Sequence, residues 1–271
     1  MNPWAFVFHP GLLARRMFRK LPGFSYENKL ALDLFPRPYY AYGLHHAASQ
    51  ARRLGLGKIS SIEFGVAGGT GLLIMEKIAA DVSKATGVAI EIYGFDTGIG
   101  LPAPADPRDL PYVWQRGFYK MDEPALRAKL TTAKLVIGPV AETVGTFAQT
   151  HQPAPVGFVA FDLDYYTSTV DALKLFDTDP TTRLPRVFCY VDDIIGPDEE
   201  LHCDAVGPLL AIAEFNANHS HKKLGRINGL PHKRVFHSAW CEQIYVMHDL
   251  QHPRYNEYLS DVENKQLPMG K

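Results

Sequence analysis

Two neighbouring segments of the sequence end in acidic residues that could together bind a metal ion. Asp162 follows the apolar run 156–161, and the pair Asp192 and Asp193 follows the run 186–191. If both runs are adjacent parallel strands, the three carboxylates meet at one edge of the sheet and repel one another unless a cation lies between them. Ligand sets made only of oxygen suit Mg²⁺. The sequence therefore predicts a metal site formed by these three residues, with Mg²⁺ as the expected ion.

The same region contains candidates for a general base. Asp162 and Asp164 could each accept the proton that a hydroxyl substrate loses. A metal ion beside them would stabilise the oxygen as its negative charge develops. His202 lies a few residues after the second acidic segment, and it could act as the base or only line a substrate pocket. The sequence thus offers three candidates for a general base and leaves the identity of the base open.

A glycine-rich turn follows the first apolar run of the chain. Glu63, Gly65, Gly69 and Gly71 form the pattern E-x-G-x-x-x-G-x-G, directly before a helical stretch. Glycines let the backbone turn sharply and approach a ligand closely, near the positive end of the following helix. The spacing differs from the dinucleotide pattern G-x-G-x-x-G, and the lysine of a P-loop is missing. A carboxylate at Glu63 could bind the ammonium of an amino-acid moiety, which S-adenosylmethionine has and NAD lacks, so these four residues predict a site for S-adenosylmethionine.

Asp96 ends the next predicted strand, in the segment Gly94-Phe95-Asp96-Thr97. In nucleoside-binding sheets of this kind, an acid at the tip of the second strand binds ribose hydroxyls. The alternative is that Asp96 only caps a turn. Its position next to the glycine turn favours the ribose contact.

These residues belong to a regular alternation of short apolar runs and helical stretches, which is typical of βαβ units and a parallel sheet. The predicted strands are 59–64, 89–95, 133–137, 156–161, 186–191 and 243–248. The predicted helices cover 39–54, a stretch from the glycine turn to residue 84, 124–129, 167–176 and 205–218. The pattern predicts an α/β, Rossmann-like, doubly wound fold with a mainly parallel seven-stranded sheet and helices on both faces. Ligands bind such sheets beyond the carboxyl ends of the strands.

Composition excludes some other classes of protein. The chain of 271 residues has a net charge of −1, which does not suggest a nucleic-acid partner. No stretch approaches the roughly 18 to 20 apolar residues that span a bilayer, so we expect no integral membrane segment. Three irregularly spaced cysteines predict reduced thiols and not a disulfide framework. The expected location is the cytoplasm.

The motifs taken together resemble the class I S-adenosylmethionine-dependent methyltransferases. The segments IYGFDTGIGLP (92–102), FDLDYYTSTVDAL (161–173) and YVDDI (190–194) are similar to the metal-dependent, macrocin O-methyltransferase-like family, and more distantly to catechol-type O-methyltransferases. The resemblance covers roughly residues 59–200. It implies that Asp162, Asp192 and Asp193 bind the metal ion, the same three residues that the acidic segments predict. Catechol-type enzymes carry a lysine at the position of Tyr165, so the resemblance implies no lysine base here.

The expected organisation is an N-terminal arm and helical cap over residues 1–57, followed by a cofactor-binding methyltransferase domain over 58–271. Residues 1–24 mix aromatic and basic side chains and are interrupted by prolines. Such an arm could dock on the body of the protein, join two subunits in a homo-oligomer, or lie on a membrane surface. The sequence leaves these three roles open.

The expected function is metal-assisted O-methylation of a small-molecule hydroxyl on a sugar, a phenolic compound or a related metabolite. The alternatives are a metal-independent N- or C-methyltransferase and a non-catalytic binding protein that keeps the cofactor fold. The glycine spacing disfavours a nicotinamide-dependent oxidoreductase. Four aromatic residues after the second strand either wall an acceptor site or form core under a long loop: Tyr112, Trp114, Phe118 and Tyr119.

Overall fold

The structure is a computed structural model that describes residues 17–18 and 23–260. Its centre is a seven-stranded sheet in the order β3-β2-β1-β4-β5-β7-β6. The strands are β1 Lys58–Phe64, β2 Ala89–Asp96, β3 Lys134–Ile137, β4 Val156–Phe161, β5 Arg183–Val191, β6 Lys222–Arg226 and β7 Ile244–Asp249. Strands β1 to β5 are parallel, whereas β7 runs antiparallel to both β5 and β6. The predicted mainly parallel sheet of seven strands is confirmed.

Helices cover both faces of this sheet. They are α1 Tyr26–Ala31, α2 Pro38–Arg53, α3 Thr70–Thr86, α4 Glu123–Arg127, α5 Val140–Thr143, α6 Phe147–His151, α7 Tyr166–Leu173 and α8 Gly207–Asn218. Side chains of a strand alternate between faces. Phe158 of β4 accordingly packs with α2 and α3, whereas Val159 packs with α7 and α8. Two hydrophobic cores, one on each face, therefore hold the sheet in place.

The order of the strands reverses between β1 and β4. Strand β1 leads outward through β2 to β3, and β4 leads outward through β5 on the other side. At such a switch point the loops after the two central strands diverge and leave a crevice. The glycine turn after β1 and Asp162 after β4 both lie at this point, so the fold brings the two predicted sites to one place.

Helix α2 packs unusually close to the sheet. A Cβ atom added at Gly43 would lie well within van der Waals distance of the Phe158 ring, and Tyr40 and Leu44 are fully buried. Helix α2, which the sequence assigns to a cap, thus shares a core with strands of the following domain, and the division at residue 57 stays a prediction. The predicted arm 1–24, apart from residues 17–18 and 23–24, lies outside the described residues.

Four elements were missed by the sequence-based prediction: strand β6 and the short helices α1, α5 and α6. Strand β6 has the polar sequence KKLGR with one buried side chain, Leu224, because it forms the edge of the sheet. Helix α1 is short and has no buried residue. In the described part of the chain, no helix is both long and apolar enough to span a membrane.

Candidate functional site

A cavity of about 890 Å³ opens at the carboxyl ends of β1, β2, β4 and β5. Nine residues that the sequence predicted for the cofactor, the metal and the base line this one cavity: Glu63, Gly65, Gly69, Gly71, Asp96, Asp162, Asp164, Asp192 and Asp193. His202, the further candidate for the base, is not among the lining residues. The volume falls in the range of small-molecule and cofactor pockets. The fold therefore brings these nine residues together, although their individual roles stay predictions.

The turn after β1 depends on Gly65. This residue has a φ of +85°, a region that favours glycine. A Cβ atom here would overlap the backbone carbonyl oxygen of Asp162. The Gly65 N–H donates a hydrogen bond to the Phe95 carbonyl at 2.9 Å, and the Asp162 N–H donates one to the Phe64 carbonyl at 2.9 Å. The turn thus passes directly against the end of β4, next to the acidic cluster.

Glu63 lies buried at the end of β1, and one of its carboxylate oxygens accepts no hydrogen bond from the described residues. Its Oε1 accepts a hydrogen bond from the Tyr40 hydroxyl at 3.0 Å, while its Oε2 is buried and has no partner among the described residues. Burial raises the pKa of Glu63 to about 7, and the Arg37 guanidinium and the Tyr40 hydroxyl oppose this rise. Gly71 has to lack a side chain, because a Cβ atom there would overlap Oε1. This oxygen is therefore available to accept a hydrogen bond from a ligand that enters the cavity.

Asp96 holds the glycine turn through its carboxylate. Its Oδ2 accepts hydrogen bonds from the N–H groups of Val66 and Ala67 at 3.0 and 2.8 Å. Its Oδ1 accepts one from Gly98 at 2.7 Å. Both oxygens therefore bind backbone, as the turn-capping alternative expects. A carboxylate has about four acceptor positions, so capacity for a ribose hydroxyl remains and that role stays a prediction.

Asp162, Asp192 and Asp193 form the acidic cluster. Each offers one carboxylate oxygen, and these three atoms lie within 4.8 Å of one another. Asp192 is held by the Tyr190 hydroxyl, which donates to Oδ1, and by the Gln243 amide, which donates to the Asp192 carbonyl at 2.7 Å. The Asp193 Oδ2 atom is buried without a partner among the described residues. An all-oxygen set with an unsatisfied buried carboxylate fits a hard divalent cation.

The surroundings of the cluster favour neutral carboxyl groups when no cation is bound. Burial raises the pKa values of Asp162 and Asp193 well above the usual range, and the neighbouring carboxylates raise them further. Burial likewise raises the pKa of Asp164 to about 7, with Glu200 and Asp192 contributing. Like charges this close disfavour joint ionisation, and a cation between them reverses that preference.

Arg37 is a site residue that the sequence-based prediction missed. It directly precedes α2, and its Nη1 donates to the Tyr40 hydroxyl at 3.0 Å. The same nitrogen lies 3.8 Å from Asp162 Oδ2. Among the described residues that line the cavity, Arg37 is the only lysine or arginine. Its sequence context, a proline on either side of a single arginine, carries no recognisable signal for a site.

Glu200 is the second residue that was missed. It lines the cavity, and its Oε2 contacts His202 Nε2 at 2.6 Å. The predicted His202 therefore reaches the cavity only through Glu200. The Glu200 carbonyl also accepts a hydrogen bond from the Tyr112 hydroxyl at 3.0 Å, so this pair is tied to the aromatic loop.

The aromatic loop after β2 has a divided role. Trp114 and Tyr119 line the cavity, and Trp114 also packs with Leu110 in a small hydrophobic cluster. Tyr112 and Phe118 are exposed and lie outside the cavity lining. Each of the two interpretations left open by the sequence thus describes part of the loop.

No family model and no curated protein matches the sequence. Among solved structures, the calicheamicin methyltransferase CalS11 is 20% identical over 92% of this chain and 93% of its own, with a TM-score of 0.52. An apo structure of CalS11, described as a TDP-rhamnose 3'-O-methyltransferase, is 19% identical over 92% and 95%, with a TM-score of 0.45. The O-methyltransferase TomG from Streptomyces achromogenes is 16% identical over 88% and 86%, with a TM-score of 0.40. At these identities the likeness to CalS11 shows the fold alone, and the predicted Rossmann-like, doubly wound fold is confirmed.

Proposed function

We propose that this chain is an S-adenosylmethionine-dependent methyltransferase that acts on a hydroxyl group of a small molecule with the help of a divalent cation, expected to be Mg²⁺. One observation carries the proposal. A single cavity at the switch point of a methyltransferase fold holds both the glycine turn with Glu63 and the three convergent carboxylates. A methyl donor and a metal-bound acceptor would therefore lie side by side.

The glycine turn and its two acids suit S-adenosylmethionine, which supplies the methyl group. Glu63 Oε2, buried and without a donor in the part of the chain that the structure describes, fits the ammonium of the methionine moiety. Asp96 keeps acceptor capacity for a ribose hydroxyl beside the turn that it fixes. The first turn of α3 begins at Thr70, so its partly positive end faces the same region.

Asp162, Asp192 and Asp193 would hold the cation. A divalent cation in this position stabilises, as a Lewis acid, the negative charge that develops on the acceptor oxygen. Asp164 is the better of the two predicted aspartate bases, because it lies outside the ligand set and its pKa of about 7 allows it to take up a proton near neutral pH. Asp162 remains the alternative.

The charges of the cavity narrow the class of acceptor. Apart from Arg37, the charged side chains of the described residues that line it are all carboxylates, which would repel a phosphate. Ile99, Trp114, Tyr119 and Ile195 supply apolar surface at the same cavity. The acceptor that fits is an uncharged or amine-bearing hydroxyl compound with an apolar face, such as a sugar or phenolic metabolite without phosphate.

The proposal is tested by calorimetric titration with S-adenosylmethionine and with NAD⁺. We expect S-adenosylmethionine to bind in the micromolar range and NAD⁺ not to bind. Glu63→Gln should weaken S-adenosylmethionine binding by about tenfold or more, because an amide replaces the charged partner of the ammonium. Glu142→Gln, at an exposed position outside the cavity, is the matched control and should leave binding unchanged. If folded wild-type protein binds no S-adenosylmethionine, the proposed function is wrong.

The affinity for S-adenosylmethionine should rise as the pH is raised from about 5.5 to about 7.5. Burial raises the pKa of Glu63 to about 7, so the residue is mostly neutral at the lower pH and mostly ionised at the upper one. The ligand's α-amino group, with a pKa of roughly 8, stays protonated over most of this range. The ion pair therefore forms only as Glu63 loses its proton, and we expect a gain of about tenfold.

The pH dependence has two controls in the same titration. Glu63→Gln should show a flat profile, since it has no carboxyl to titrate. 5'-Methylthioadenosine, which lacks the amino-acid moiety, should bind the wild type with little change over the same pH range. An equal rise for both ligands would assign the pH dependence to another group.

A further inference from the structure

We propose that Arg37 binds the carboxylate of the cofactor's methionine moiety, so that Arg37 and Glu63 together recognise the two charges of this amino acid. The inference rests on the function proposed above. It assigns a role to a residue that precedes the sheet in the chain and belongs to none of the motifs of the sequence.

Arg37 and Glu63 are held next to each other by one hydroxyl group. Arg37 Nη1 donates to the Tyr40 oxygen at 3.0 Å, and the Tyr40 hydroxyl donates to Glu63 Oε1 at 3.0 Å. Both groups also surround the same point of α3, since a Cβ atom at Gly71 would lie 3.2 Å from Arg37 Nη1 and would overlap Glu63 Oε1. An amino acid carries its ammonium and its carboxylate on a single carbon. Neighbouring groups of opposite charge match that arrangement.

The position of Arg37 is fixed by the fold. The residue directly precedes Pro38, the first residue of α2, and Tyr40 in the first turn of that helix is fully buried. The Arg37 guanidinium lies 5.1 Å from the centre of the Tyr40 ring. A guanidinium held by a buried helix loses little conformational freedom when it binds a ligand.

Most of the hydrogen-bonding capacity of Arg37 is not used by the described residues. A guanidinium has five N–H donors, and within the described part of the chain one hydrogen bond from Arg37 is seen, to Tyr40. The contact with Asp162 Oδ2, at 3.8 Å, is too long for a hydrogen bond. Donors therefore remain for a carboxylate, which arginine can bind through two parallel hydrogen bonds.

The charge of the cavity makes this role specific. Every other charged side chain among the described residues lining the cavity is a carboxylate. A ligand carboxylate placed away from Arg37 would face repulsion from these acids. Among the described side chains of the cavity wall, Arg37 is thus the one that can form an ion pair with a negatively charged group.

Three ligands that differ only in the amino-acid moiety test the role by calorimetry. S-adenosylhomocysteine has both charges, its decarboxylated amine has only the ammonium, and 5'-methylthioadenosine has neither. Arg37→Gln should weaken S-adenosylhomocysteine by about tenfold to a hundredfold and change the other two by less than about threefold. Glu63→Gln should instead weaken both amine-bearing ligands. Arg37→Lys, which keeps the charge, should retain part of the affinity, and the exposed Arg116→Gln is the matched control.

The outcomes separate this inference from the function on which it rests. If Arg37→Gln weakens all three ligands equally, or none of them, Arg37 does not read the carboxylate and the inference is wrong while the function stands. If wild-type protein binds none of the three ligands, the proposed function itself fails. Thermal unfolding of each variant shows that a lost affinity is not a lost fold.

Discussion

Asp193→Asn is expected to raise the stability of the metal-free protein and to abolish the stabilisation that Mg²⁺ gives to the wild-type chain. Asp193 has a buried oxygen without a partner among the described residues, and burial together with Asp164 and Asp162 raises its pKa. An uncharged amide removes the cost of ionising this group and can donate to the neighbouring carboxylates. We expect a gain of about 1 to 2 kcal/mol, which corresponds to roughly 2 to 8 °C in the melting temperature.

The buried carboxyl groups of the cavity make the metal-free protein less stable as the pH rises. The pKa values of Glu63 and Asp164 are raised to about 7 in the folded chain, whereas unfolded carboxyl groups titrate near about 4. Between these values the folded state binds more protons than the unfolded state. The stability that they contribute is therefore full below about pH 4 and is lost as the pH rises through about 7. Mg²⁺ should oppose this loss, because it binds the ionised form of the acidic cluster.

Melting temperatures at about pH 5.5 and about pH 8, with and without Mg²⁺, measure both effects. The wild type should lose several degrees between the two pH values and regain them with Mg²⁺. The melting temperature of Asp193→Asn should fall less between the two pH values, and Mg²⁺ should not raise it. Asp198→Asn, an exposed acid a few residues further along the chain, is the control and should behave as the wild type does. If Mg²⁺ raises the melting temperature of the wild type and of Asp193→Asn equally, the ion does not bind at the acidic cluster.

The parts of the site that could be predicted from the sequence are those that follow a strand directly. Asp162 and Asp192 are adjacent in space because β4 and β5 pair in parallel with Phe161 opposite Val191. A run of apolar residues predicts the strand, and the residue after it then has a known place at the edge of the sheet. The glycine turn is predictable for the same reason, because strand β1, the turn and helix α3 follow one another directly along the chain.

The parts that could not be predicted depend on contacts between distant segments. Arg37 reaches the cavity because α2 packs on β4 through Gly43 and Phe158, a contact that spans 115 positions and leaves no local pattern. The hydrogen bonds of Asp96 to Val66 and Ala67 join two loops in the same way. Residue type and spacing indicate what a group can do, whereas tertiary packing decides which groups it meets.

Among glycine-to-alanine substitutions in the turn after β1, Gly65→Ala is expected to lower the free energy of unfolding the most. Its φ of +85° is strained for alanine, and the new Cβ atom would overlap the Asp162 carbonyl oxygen, a backbone atom that has little room to move. Strain and overpacking each cost about 1 to 3 kcal/mol. The free energy of unfolding should therefore fall by roughly 3 kcal/mol or more, as measured by urea denaturation.

The matched control lies three residues further along the same turn. Gly68 is exposed and has an ordinary φ, and a Cβ atom added there would meet nothing within 4 Å. Gly68→Ala should change the free energy of unfolding by less than about 0.5 kcal/mol. Gly65 lies directly against the backbone of Asp162, a residue of the acidic cluster. Gly65→Ala should therefore also reduce the rise in melting temperature that Mg²⁺ causes, whereas Gly68→Ala should not. Equal losses of stability in the two variants would mean that the turn and the end of β4 are not in contact, and that the cofactor and metal sites are built independently.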